Sequence, residues 1–169
     1  KVELSGGSAC YGWAILPQMH MLEAEKHAVW RTPDGAYIDI TPRPLPISTL
    51  QFVIDDEFEY HGQIVGNVRI NVTENSVVDD WISICQAIDG LYANHSIRID
   101  EHRVSIHQQI APYLQVLESL SREFELFIMS GGTPSSLCFC GNPLFYKDCH
   151  GLDVNGALES DLKKLLALM

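Results

Sequence analysis

The stretch Lys26-His27-Ala28-Val29-Trp30-Arg31-Thr32-Pro33-Asp34-Gly35-Ala36-Tyr37-Ile38-Asp39-Ile40-Thr41 decides the fold of the N-terminal half. Pro33-Asp34-Gly35 is a turn signal, because proline presets φ, aspartate bonds its own backbone and glycine accepts positive φ. The residues on both sides alternate with the period of two that a strand requires. A three-residue loop pairs Trp30 with Ile38 and Val29 with Asp39. That register gathers Ala28, Trp30, Ile38 and Ile40 on one face, which the hydrophobic pattern predicts to be the buried one. It also puts His27 and Asp39 together on the other face as diagonal neighbours, roughly 7–8 Å apart at Cα and within side-chain reach.

Working outward, residues 9–16 read as a preceding strand, turned at Pro17-Gln18 into a long second strand over 19–31. Residues 36–41 form the third. Pro42, Pro44 and Pro46 then prevent regular pairing and predict a stiff connector. Further strands are expected over 49–54 and 63–72. From Ser76 the period changes to 3.6: Val77, Val78, Trp81, Ile82, Cys85, Ile88 and Leu91 share a helix face, with Ser76 as the expected cap. Ile106, Ile110, Tyr113, Leu114, Leu117, Leu120 and Phe124 share a second, which Pro112 starts or kinks. Residues 131–136 read as a flexible hinge, and 157–169 as a short amphipathic helix. Strands first and helices afterwards predict the α+β class. The expected organisation is a main domain over 1–130, a metal knuckle over 137–151 and a C-terminal helix over 156–169.

The knuckle is Cys138-Phe139-Cys140-Gly141-Asn142-Pro143-Leu144-Phe145-Tyr146-Lys147-Asp148-Cys149-His150-Gly151. Zinc takes four soft or borderline ligands in a tetrahedron, and Cys₃His is a common structural set. Cys138 and Cys140 can clasp an ion from one turn, while Cys149 and His150 close it from a second. Gly141 and Pro143 fit a tight bend after the first pair. These residues resemble the SEC-C motif, the zinc tail first recognised at the end of the SecA translocation ATPase, whose pattern is C-x-C-G-S, a short basic and aromatic run, then C-H or C-C. The resemblance covers about a tenth of the chain and implies Zn²⁺ held by Cys138, Cys140, Cys149 and His150. Asn142 replaces the usual serine and Pro143-Leu144-Phe145 the usual basic run. The chaperone and lipid contacts of that basic surface are therefore not implied here.

The chain has 169 residues, a net charge of −11 and a pI near 4.9. Phosphate neutralisation by Lys and Arg supplies most nucleic-acid affinity, so a nucleic-acid groove is excluded as an expectation, as is an anionic membrane surface. No apolar run reaches the roughly 20 residues that span a bilayer. The partner expected is another protein. Metal-type cysteine spacing predicts a reducing, cytoplasmic setting. The acidic run Asp55-Asp56-Glu57-Phe58-Glu59 reads as a cation site or, more commonly for such runs, a solvated loop, and no phosphate-binding glycine loop is present.

A histidine oriented by an aspartate is two thirds of a Cys-His-Asp catalytic set. His27-Ala28-Val29-Trp30 and Tyr37-Ile38-Asp39-Ile40-Thr41-Pro42 resemble the His and Asp strands of the transglutaminase-like and papain-like amidase superfamily, and the run 11–42 resembles an uncharacterised bacterial group that carries a SEC-C tail. The superfamily resemblance implies His27 as base and Asp39 as its orienter. Its cysteine stands at the start of a helix upstream, where this chain has none. Either Cys10 supplies the thiol, or the thiol lies before Lys1, or there is no catalysis. A two-residue loop at Pro17 aligns Cys10 with Glu25, a three-residue loop with Lys26; only the first puts it on the His27 side.

Overall fold

The computed structural model describes residues 1–42, 49–100 and 103–167. After one short helical turn, α1 (Val2–Ser5), come β1 (Ser8–Pro17), β2 (Met21–Arg31), β3 (Tyr37–Ile38), β4 (Gln51–Ile54) and β5 (Val68–Asn71). Then follow α2 (Ser76–His95), a small hairpin of β6 (Ser96–Arg98) and β7 (Val104–Ile106), α3 (Ala111–Met129), two 3₁₀ turns (Tyr146–Asp148 and His150–Leu152) and α4 (Val154–Leu166). The class is α+β, as the change of period at Ser76 predicts. Pro44 and Pro46 of the expected connector and the last two residues of the expected C-terminal helix lie outside the described residues.

The antiparallel sheet runs β3-β2-β1-β4, with β5 also paired to β2. Trp30 pairs with Ile38, the register derived from the Pro33-Asp34-Gly35 loop. Gly35 takes φ 91° there. The first hairpin is longer than either expected loop: Pro17 pairs with Leu22, which aligns Cys10 with Val29 and Gly12 with His27. Neither Glu25 nor Lys26 is therefore the partner of Cys10.

The face that meets the rest of the molecule is the reverse of the expected one. Ile38 and Ile40 are 42% and 52% exposed, whereas Val29 and Ala14 of the His27 face are 4% and 0% exposed. The cause is α2, which packs over the end of that face. Met21 enters the helical core, and Arg69 joins Glu23 of β2 at 2.9 Å to Asp89 of α2 at 2.6 Å. Asn67 reinforces the bridge, its backbone N–H donating to Asp89 and its side-chain amide to Glu23. Alternation shows which residues share a face. It does not show which face is covered when the inner polar residues satisfy one another.

The main core lies among the helices. Val77, Val78, Ile84 and Leu91 of α2 pack with Leu114, Leu117, Phe124 and Ile128 of α3. The cap of α2 is Asn75, whose side chain accepts from the Val77 N–H, rather than the expected Ser76. Pro112 sits in the first turn of α3, where its missing N–H costs nothing. Ile106, assigned to that helix by period alone, belongs instead to β7.

Residues 131–136 are pinned rather than hinge-like. The Gly132 carbonyl accepts from the Asn75 side chain at 2.8 Å, and the Pro134 carbonyl accepts from the Lys147 N–H at 3.0 Å. Cys138 and Tyr146 of the knuckle belong to the same buried cluster as Phe124 and Ile128. The knuckle thus shares its core with α2 and α3.

Replacing Arg69 by Ala leaves Glu23 and Asp89 facing each other with 13% and 24% side-chain exposure. Removing one partner of a buried ionic cluster costs about 3 kcal/mol, more than the truncation itself. Urea unfolding of Arg69→Ala is expected to show that loss, and Arg69→Met a smaller one; equal stability to the parent chain refutes the latch.

Candidate metal centre and the His27 cleft

The knuckle is a miniature hairpin. Leu137 bridges Phe145, the Cys138 N–H donates to the Leu144 carbonyl at 2.9 Å, and the Tyr146 N–H donates to the Ser136 carbonyl at 2.8 Å. Gly141 turns the chain after Cys140 with φ 80°, a backbone that other residues adopt only with strain. The 3₁₀ turn of Tyr146–Asp148 brings Cys149 and His150 back over the first pair. Gly151 follows because a Cβ there would stand 2.3 Å from the Tyr146 ring.

The four ligand atoms lie within 4.8 Å of one another. Cys138 Sγ is 3.2 Å from His150 Nδ1, Cys149 Sγ is 3.6 Å from the same nitrogen, and Cys140 Sγ is 3.7 Å from Cys149 Sγ. Zn–S of about 2.3 Å and Zn–N of about 2.0–2.1 Å give tetrahedral edges of roughly 3.5–3.8 Å. The donor set and spacing fit such an ion, and these four residues can hold a metal. Among the described residues no other group of three or more His, Cys, Asp and Glu side chains is so placed.

The thiols are electrostatically unequal. Burial opposes ionisation of Cys138, but the backbone N–H groups of Cys140 and His150 and the neighbouring side chains overcome it and lower its pKa to about 6. Desolvation and the adjoining Cys138 and Cys140 raise Cys149 to about 11. Cys140 is exposed and Cys138 buried.

Between the two ligand pairs Tyr146 projects into the helical core at 1% exposure. Its ring meets Phe124 edge-on at 5.8 Å and stacks on Phe127 at 5.6 Å. Phe139, flanked by Cys138 and Cys140, packs on Phe124 at 5.1 Å and on the His150 ring at 4.8 Å. The Tyr146 hydroxyl donates to Asp80 Oδ2 of α2 at 2.7 Å. Burial raises the Asp80 carboxyl above its ordinary range, and that hydrogen bond partly counters the rise. Asp80 thus anchors the knuckle to α2, a role that the sequence signals only through the tyrosine between the ligand pairs.

The second site is on the sheet. The His27 Nε2–H donates to Asp39 Oδ1 at 3.0 Å, with side-chain exposures of 10% and 15%. The same carboxylate oxygen accepts from the Thr41 N–H at 2.9 Å. The residues placed as diagonal neighbours therefore meet, and Asp39 holds the proton on Nε2, leaving Nδ1 as the acceptor. His27 lines a cleft of about 720 Å³ with Thr41, Tyr11, Phe58, Tyr60 and Arg98. Lys26 borders it too, paired with Asp55 at 2.5 Å and set 3.8 Å from the Phe58 centroid and 4.5 Å from that of Trp13. Asp55 of the acidic run is thus a lysine partner.

Cys10 is on the His27 face, two residues along from Gly12, which opposes His27. It lines a different hollow of about 230 Å³, with Arg31, Asp55 and Asp56. Burial first, then Asp56, push its thiol pKa up rather than down. The structure brings His27 and Asp39 together and does not give the third member an activated form.

Neither a family model, nor a curated protein, nor a solved structure matches this chain. No helix among the described residues is long and apolar enough to cross a membrane.

Tyr146→Phe removes a donor from a half-buried carboxylate. We expect a loss of about 1–3 kcal/mol in chemical unfolding, together with an upward shift of the Asp80 pKa in an NMR titration, since the lost bond is the one that lowers it. An unchanged Asp80 titration contradicts the anchor.

Proposed function

We propose that the chain is a zinc protein whose Cys138–Cys140–Cys149–His150 centre is structural and presents a protein-docking surface. The observation that carries this is the convergence of the four donor atoms within 4.8 Å. Four protein ligands fill a tetrahedral sphere, whereas a catalytic zinc keeps one position for water or substrate. The metal joins the two halves of a segment too short to hold itself together. Tyr146 and Phe139 then transmit that closure to α2 and α3. The outer side of the knuckle carries Leu137 at 64%, Phe145 at 48% and Leu144 at 45% exposure. That apolar surface, in place of the basic run of the SEC-C pattern, suits a protein partner better than an anionic surface.

Purified protein is expected to contain one zinc per chain by elemental analysis, and Cys140→Ser to lose most of it. Chelation should perturb the near-UV signal of Trp81, which lies in the shared core and donates to Ser121 at 3.0 Å, while those of Trp13 and Trp30 on the sheet persist. Stoichiometric protein without zinc, or a Cys140–Cys149 disulfide in the native state, overturns the reading.

A second reading rests on the His27–Asp39 pair in its cleft, and is that of a Cys-His-Asp amidase, deamidase or transglutaminase-like enzyme. A base held in one tautomer, with its free nitrogen available, is what such chemistry needs. The thiol is Cys10 or one from before Lys1. Alkylation by iodoacetamide near neutral pH tests Cys10. A thiol with a raised pKa reacts slowly, and that is the expected result for this chain. Fast alkylation that His27→Ala abolishes makes Cys10 the nucleophile.

A further inference from the structure

The same cleft has a feature that neither reading uses. Strand β2 is eleven residues long, yet among the described residues its outer edge is paired only at its ends. β5 covers Met21 to Ala24 and β3 covers Trp30 and Arg31. Between them, among the described residues, no strand pairs with that edge, and Lys26 and Ala28 lie within the gap.

The direction of their backbone groups follows from the ladder. The Tyr11 carbonyl accepts from the Asp55 N–H, so Tyr11 turns its backbone groups toward β4. Its partner across β1 and β2 is Ala28. In an antiparallel pair a residue turns N–H and C=O to the same side, and non-bonded pairs alternate with bonded ones. Ala28 and, two residues away, Lys26 therefore present N–H and C=O to the outer edge. Leu22, Ala24 and Trp30 have the same parity and are the residues that β5 and β3 engage there.

This edge runs along the cleft of about 720 Å³, whose lining includes Glu25, Lys26, His27 and Ala28. The cleft takes in groups from both faces of the sheet. Tyr11 shares the face of Lys26 and Ala28, while Glu25 and His27 are on the other, and Arg98 stands at its border. An unpaired run inside a sheet edge is a template for another strand, whose alternate side chains then enter opposite faces.

We propose that this gap is a docking slot for an extended peptide segment, which pairs its backbone with Lys26 and Ala28. A small molecule satisfies one or two of these groups, whereas a strand at the 4.8 Å spacing can satisfy all four. Its residues on the Tyr11 side are apolar, and those on the His27 side are polar. A carboxylate, from an acidic residue or a C-terminus, faces Arg98. The slot is separate from the knuckle in both location and chemistry.

The test uses an acetylated hexapeptide of alternating threonine and valine with a free C-terminal carboxylate, added at millimolar concentration to the whole zinc-loaded chain. Amide hydrogen exchange is read residue by residue by NMR. The amides of Lys26 and Ala28 are expected to slow at least tenfold, and Arg98→Ala to weaken binding several-fold. A peptide N-methylated at alternate residues, which cannot donate to the edge, is expected to give no protection. Three results overturn the proposal: no slowing by the hexapeptide, equal protection by its N-methylated form, or Lys26 and Ala28 amides as protected in the free chain as that of Trp30.

Discussion

Arg69 is the constraint on which the arrangement of sheet and helices depends. Its guanidinium is held between a strand carboxylate, Glu23, and a helix carboxylate, Asp89, with only 10% of the side chain exposed. A planar fork with donors on several edges can serve two acceptors at once, which a lysine does poorly. Burial alone disfavours the charge, and the Asp89 and Glu23 carboxylates restore it. The consequence is geometric. Residues Glu23 and Arg69 are opposed on one face of the β2–β5 pair, so α2 must lie over that face. Once α2 is placed, Asp80 near its start is placed too, and with it the anchor for Tyr146.

Fixing α2 in this way explains why the outer face of the sheet is apolar and open in places. Val68 and Ile70 are 49% and 57% exposed beside Leu22 and Ala24. The aromatic side of that face is partly closed by Phe58 and Tyr60 packing on Tyr11, with the Lys26 stem enclosed beneath. A sheet with charge pairs inside and aliphatic residues outside reverses the usual alternation. Two charge pairs stabilise that inner face, Glu23 with Arg69 and His27 with Asp39.

The sequence was legible wherever a local rule had one solution. The Pro33-Asp34-Gly35 loop admits few lengths, so the Trp30–Ile38 register and the approach of His27 to Asp39 could be read directly. The convergence of Cys138, Cys140, Cys149 and His150 was legible for the same reason: four donors in a short segment have few ways to meet. What remained hidden depends on distant residues. The length of the first hairpin, and so the place of Cys10, turns on a loop from Gln18 to His20 that carries no strong turn chemistry. The β6–β7 hairpin is shorter than any periodicity can reveal, with three residues in each strand. The docking of Tyr146 on Asp80 spans 66 residues and has no local signature.

The charge of the chain bears on how the knuckle is held. At −11 overall, adding thiolates to an acidic surface is costly, and the cluster itself shows the conflict: hydrogen bonds lower Cys138 to about 6, while burial and its neighbours raise Cys149 to about 11. Close thiols cannot all ionise against one another. A divalent cation at their centre reverses the sign of that interaction, because each added thiolate then faces two positive charges. Metal binding at these four residues would therefore couple the folding of the segment to the ionisation of its cysteines. Because Tyr146 and Phe139 carry the knuckle into the same core as Phe124 and Ile128, that coupling would extend into α2 and α3. Among the described residues the sheet meets this core mainly at one end, through Met21 and the Arg69 latch, so it would feel a bound metal least.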